Sequence, residues 1–163
     1  MLVEFFIILL RDRRRGKQFE TAICIVEARL REMPAVTSAS VRFCSGSRML
    51  TAANLTGWEY AALVFQLPFA LGEEADPLLL PRQDHDRVLR ACLDLCAAYT
   101  ATYQVKEFSE SDLDTMENRW RVCLTSMQLA FPKLKGCNFH RPKVHALSHL
   151  RRVKGDALQV FKS

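Results

Sequence analysis

Residues 82–103 read RQDHDRVLRACLDLCAAYTATY, and residues 109–131 read SESDLDTMENRWRVCLTSMQLAF. In the first stretch Val88, Cys92, Leu95, Tyr99 and Tyr103 recur at steps of three and four, the spacing of one helix face. In the second, Leu113, Met116, Trp120, Leu124, Met127 and Phe131 do the same. Ser109 and Ser111 each stand three residues before an acid, Asp112 and Asp114, so either can open the second helix with a capping box. Pro132 and Gly136 supply its stop. Two long amphipathic helices in succession point to an all-α fold.

Upstream, Phe19, Ile23, Val26 and Leu30 form the apolar stripe of a helix over 17–32, with Cys24 and Ile25 widening it and Pro34 ending it. Residues 2–14 read as a short apolar helix that runs into Arg13, Arg14 and Arg15 and is broken at Gly16. Residues 34–54 have no period and several serines, which predicts a loop with Val41–Phe43 as its one candidate strand. Thr56-Gly57-Trp58-Glu59 is a second capping box. The helix that follows, Trp58 to Leu67, is apolar almost all round and is expected at the centre of the core. Pro68 is expected to kink or end it, with Gly72 closing the segment before an acidic connector, Glu73 to Pro81. Pro142 fits the first turn of a last helix, which Gly155 ends. The expectation is one helical domain over 1–163, an irregular bundle of five or six helices. Its parts are N-terminal helices over 1–33, a loop over 34–55, a helical core over 56–155 and a tail over 156–163.

At 49% hydrophobic and 25% charged residues, the chain can bury a core. Its net charge of +5 hides a strong asymmetry. Arg11 to Lys17 holds five basic residues and one acid, and Pro132 to Gly155 holds seven basic residues and none. Between Thr56 and Asn118 there are twelve acids against four basic residues. Basic ends around an acidic middle suggest polyanion contact at the ends, or the ends docking on the middle. The six cysteines sit mostly at apolar helical positions without the dense spacing of a secreted scaffold, which reads as reduced thiols in an intracellular protein. The apolar start, MLVEFFIILL, is interrupted by Glu4 and its positive charges follow rather than precede it, so it reads as a buried helix and not a signal peptide. It is also about half the length that spans a bilayer, and no membrane partner is expected.

Three constellations could carry chemistry. Cys92 and Cys96 stand four apart on one helix, and His145 and His149 four apart on another, a ligand set suited to tetrahedral zinc. The competing reading is core packing for the thiols, since cysteine behaves as a small hydrophobe. Asp84, Asp86, Asp94, Asp112 and Asp114 are numerous, but nearly all fall at helix starts, where they complement the helix dipole. No His-Glu-x-x-His, phosphate loop or nucleophile elbow is present, so no independent active site is expected. Last, Arg141, Lys143, Arg151, Arg152 and Lys154 in the final helix, with Arg13, Arg14 and Arg15 at the other end, are candidates for phosphate contact.

Four blocks in order resemble a known family. They are Ile25 to Pro34; Val41-Arg42-Phe43-Cys44-Ser45-Gly46; Leu55-Thr56-Gly57-Trp58-Glu59-Tyr60 followed by Leu67-Pro68-Phe69-Ala70-Leu71; and Phe139-His140-Arg141-Pro142-Lys143-Val144-His145-Ala146-Leu147-Ser148-His149-Leu150. Together, over about residues 20–152, they resemble the C-terminal helical region of Plavaka-type transposases, related to the Kyakuja–Dileera–Zisupton group. On that resemblance, Thr56, Gly57, Glu59, Tyr60, Pro68, Pro142, His145 and His149 fall on family-motif positions. The resemblance implies the helical insertion of a ribonuclease-H-like enzyme whose three acids hold two divalent metals. Its first two acids are expected upstream of this sequence, and its last just beyond the His-x3-His helix in a segment like Glu-Arg-x-His. Residues 156–163, DALQVFKS, do not match that segment, so no catalytic acid carries over and no cofactor is assigned to this chain. The expected function is a truncated, non-catalytic helical fragment that contributes DNA binding or scaffolding in DNA transposition, nuclear in location. Its partners would be DNA, the remainder of a transposase or another protein. The alternatives are a helical protein–protein module with basic ends, or a zinc-stabilised helical domain.

Overall fold

The computed structural model describes residues 2–33, 50, 57–103 and 109–131. It is all helical, with five helices and no strand among the described residues. They are α1 (Leu2–Arg13), α2 (Lys17–Glu32), α3 (Gly57–Leu71), α4 (Arg82–Tyr103) and α5 (Glu110–Ala130). The expected strand at Val41–Phe43, the Thr56 capping box and the Pro142 helix lie outside the described residues.

The apolar stripes explain the packing. Phe19, Ile23, Val26 and Leu30 of α2 are all buried, as the sequence period requires. Cys24 is not: it is exposed, on the polar side of the stripe it was expected to widen. The buried face of α2 is Phe19, Ala22, Ile23, Val26, Glu27 and Leu30, and Cys24, a further step of roughly 100° beyond Ile23, falls outside it. The start of the chain is core, with Leu2, Val3, Phe5, Phe6, Leu9 and Leu10 of α1 buried. Phe5 meets Phe131 edge-on at 5.7 Å, which brings α1 against the end of α5.

Helices α4 and α5 run antiparallel. Asp94 meets Ser126 at one level, and Thr102 meets Trp120 two turns further along α4 and two turns back along α5. The Trp120 indole N–H donates to the Thr102 hydroxyl at 2.8 Å, and that hydroxyl donates to the Ala98 carbonyl at 2.8 Å. The chain of donors lets two polar groups sit in the core without an unmade bond. Of the two candidate caps for α5 the structure uses Ser109, in a complete capping box with Asp112. Cys123, buried, takes the core position expected of Leu124, which is only partly covered.

Two helix junctions need a positive φ. Gly16, at φ 53°, turns α1 into α2, and Gly72, at φ 77°, closes α3. Gly72 N–H donates back to the Pro68 carbonyl at 3.1 Å, ending α3 one residue past Leu71. Pro68 therefore neither ends the helix nor marks its limit: α3 continues through it for three more residues. Nor is α3 enclosed on all sides. Leu63, Leu67, Ala70 and Leu71 are buried, but Phe65 is 38% and Phe69 75% exposed. An apolar face all round a helix can be left open when only some of its sides meet a neighbour, and here α1, α2 and α4 leave one side uncovered.

Candidate interaction surfaces

The acidic connector after α3, with the first turn of α4, gathers arginines from the end of α1, the residue just after it and α2. The Arg13 Nε donates to Asp84 at 2.6 Å. Arg14 donates through Nε to the Leu79 carbonyl at 3.2 Å and through a terminal nitrogen to the Pro77 carbonyl. Arg29 donates to Asp76 at 2.5 Å and to the Ala70 carbonyl at 3.1 Å. Leu79 and Leu80, between these contacts, are fully buried and anchor the connector in the core. Behind it lies His85, also fully buried, with Nε2 3.1 Å from the Gly72 carbonyl and Nδ1 3.2 Å from Asp86. Of the two readings of the charge asymmetry, docking of the basic end on the acidic middle describes these residues. Arg13 and Arg14, expected as free phosphate contacts, are bonded to their own chain, while Arg15 is exposed. Arg141, Lys143, Arg151, Arg152 and Lys154 lie outside the described residues.

Two of the three thiols of α4 and α5 are sealed. Cys92 and Cys123 are buried, and burial pushes their thiols up, that of Cys123 to about 12 with the nearby Asp94 charge adding to it. Cys96 is partly covered, and burial pushes its thiol up to about 11. Its Sγ donates to the Val64 carbonyl at 3.4 Å. Val64 is four residues before Pro68, so this carbonyl is the one a regular helix would bond to the N–H that proline lacks. The thiol thus serves the acceptor left open by Pro68. A zinc site needs thiolates with further ligands. Among the described residues no group of three or more His, Cys, Asp or Glu is placed to hold a metal ion. His145 and His149 lie outside them. The two-metal centre of the resembled transposases likewise finds no carboxylate set among the described residues.

Asp94, one of the five aspartates weighed as carboxylates, does not sit at a helix start. It is buried in the middle of α4, accepting from Arg90 Nε at 2.9 Å and from the Ser126 hydroxyl at 2.5 Å. Glu27, buried on α2, accepts the Leu50 backbone N–H at 3.0 Å and so ties down a residue of the long segment before α3. Asp76 and His85 carried no motif signal. The only hint was the excess of acid in the middle of the chain.

A groove of about 550 Å3 opens between α3 and the α4–α5 pair. Phe65, Pro68 and Phe69 form one wall, Leu93, Cys96, Ala97, Thr100 and Ala101 the floor, and Thr115 and Arg119 the other wall. Phe65 also packs edge-on to Tyr99 at 5.7 Å. A second concavity, about 600 Å3, lies over the connector and mixes Arg14 and Arg82 with Glu73, Glu74 and Asp86. No described helix is long and apolar enough to cross a membrane. Among the family-motif residues, Gly57, Glu59, Tyr60 and Pro68 belong to α3, while Thr56 and Pro142 lie outside the described residues. No family model, curated protein or solved structure matches the chain.

Proposed function

We propose that this chain is the helical scaffold of a transposase-like protein, not catalytic alone, with DNA contact through its basic C-terminal stretch. The ordered sequence blocks motivate the family. The observation that carries the scaffold role is the use of Arg13, Arg14 and Arg29 to bind the end of α1 and α2 to the connector after α3 and the first turn of α4. Cations spent inside the molecule stiffen it and are withdrawn from phosphate. The groups left to meet DNA are then Arg15, Arg141, Lys143, Arg151, Arg152 and Lys154.

A gel-shift titration of the full chain on duplex DNA tests this. Binding near 50 mM salt should fall steeply as salt rises, because phosphate contact releases counterions. Alanine at the five C-terminal basic positions should abolish the shift, and alanine at Arg13 and Arg14 should leave it intact. No shift at low salt removes the DNA role. The alternative, a helical protein–protein module, is favoured by the open apolar groove on α3, α4 and α5.

A further inference from the structure

The uncovered side of α3 is the strongest unexplained feature of the molecule. Phe69 is 75% and Leu93 51% exposed, and both line the same groove with Phe65. Large apolar side chains gathered in one exposed patch, rather than scattered singly, are a feature of contact surfaces. The floor is low: Ala97 and Ala101 stand one turn apart on α4, so an incoming element can approach the helix backbone. From Leu93 to Ala101 the groove follows α4 for about 12 Å, at 1.5 Å per residue, which is two turns of a helix. The lining includes one charged side chain, Arg119, and it has no ion pair among the described residues. By contrast Arg90 on α4 and Arg121 on α5 are each paired, with Asp94 and Glu117.

We propose that the groove between α3 and the α4–α5 pair receives an amphipathic helix of a partner protein, with a carboxylate beside its apolar stripe that pairs with Arg119. An apolar trough open at its top and two turns long suits a helix laid in lengthwise, with anchors at i, i+3 or i+4, and i+7. The Arg119 guanidinium, without an ion pair among the described residues, chooses among such helices. It favours an acid at the matching position and disfavours a lysine there, which would face a like charge. The inference names the partner chemistry for the scaffolding role and rests on that role, but on neither the transposase relationship nor the DNA contact.

The probe is a fluorescein-labelled helical peptide with leucines at i, i+3 and i+7 and a glutamate flanking them, titrated into the full chain by fluorescence anisotropy. A second peptide carries lysine in place of the glutamate. The glutamate peptide should bind the wild type at least 10-fold more tightly than the lysine peptide. Phe69→Ser and Leu93→Ser should each weaken it about 10-fold or more, as truncating an interface anchor does. Arg119→Glu should reverse the preference between the peptides. Helix content and thermal melting of the variants, both unchanged, show that the fold is kept. Equal binding of both peptides, no binding to the wild type, or indifference to Phe69→Ser overturns the proposal. So does self-association of the wild type that Phe69→Ser abolishes, because a second copy is then the occupant. The gel shift, being read through basic residues that do not line the groove, is expected unchanged by Phe69→Ser. A failed peptide titration with an intact shift therefore sinks this inference and leaves the DNA contact standing.

Discussion

Replacing Cys96 should cost more than its size suggests, and the excess should vanish when Pro68 is replaced too. The Cys96 Sγ donates to the Val64 carbonyl at 3.4 Å, the acceptor that the missing N–H of Pro68 leaves open. Cys96→Val keeps the apolar contact with the groove floor and removes the donor. A half-covered carbonyl without a partner costs about 1 kcal/mol, at the low end of the range because a thiol is a weak donor. In a protein of this size that is a fall of roughly 2–4 °C in melting temperature. Pro68→Ala restores the backbone donor to Val64 and relieves the helix of a proline, worth up to ~3 kcal/mol in a helix interior. In that background Cys96→Val should cost only a few tenths of a kcal/mol. The double-mutant cycle should therefore show a coupling of about 1 kcal/mol, above the scatter expected of independent sites. Urea unfolding followed by circular dichroism measures it, provided the m-value is constant across the four proteins. If Cys96→Val costs the same with proline or alanine at position 68, the thiol is only filling space. If Cys96→Ser is much less stable than Cys96→Val, the donor is not what matters at this site.

The Asp112 carboxyl is held below the usual carboxylate range by the Ser109 hydroxyl and then by the Ser109 N–H. The cap therefore contributes fully above the ordinary carboxylate value and is lost as pH falls through the lower folded value. Asp112→Asn should flatten the acid limb of a plot of urea midpoint against pH, and an unchanged limb would contradict the assignment. At the alkaline end the sign reverses. The Cys96 and Cys123 thiols are pushed up to about 11 and about 12, so burial of the neutral form stabilises the fold at neutral pH and is lost as pH rises through those values. In alkylation followed by peptide mass mapping, exposed Cys24 should react before Cys92, Cys96 and Cys123; equal rates in the folded protein would show that the α4–α5 interface opens readily. Phe5→Ala should destabilise by about 3–5 kcal/mol, because Phe5 is fully buried against Phe131. A loss below ~1 kcal/mol by urea unfolding would mean α1 is not core. Arg29→Ala should cost about 1 kcal/mol and more at low than at high salt, since its side chain is 36% exposed. Arg15→Ala, which loses none of these contacts, should fall within ~0.5 kcal/mol of wild type.

The helices were legible because each carries its own period. Phe19, Ile23, Val26 and Leu30 are spaced for one face, and α2 runs over the span that spacing implies, Lys17–Glu32. For α4 the stripe from Val88 to Tyr103 implies a helix from Arg82 to about Tyr103, and the helix spans Arg82–Tyr103. Local capping chemistry was also readable, although Ser109 and Ser111 were equal on paper. The Pro68 position misled because proline's effect on a helix depends on who serves the carbonyl four residues back. That server, Cys96, is thirty-two residues away in sequence and on another helix. Cys24 misled for a simpler reason, that an apolar residue type beside a stripe is not thereby on it.

What the residues determined by themselves is the class of the fold, the extents of four helices, the apolar role of the first ten residues and the excess of acid between two basic ends. All of these follow from interactions within a turn or two of the chain. Only the tertiary structure decided which arginines are used up. Whether Arg13 meets a phosphate or Asp84 is a question about residues seventy-one positions apart, and no local pattern encodes it. The same holds for the groove. Phe65, Phe69, Leu93 and Arg119 are ordinary members of three separate helices, and they become one surface only because α3 packs on α4 while leaving its other side to solvent.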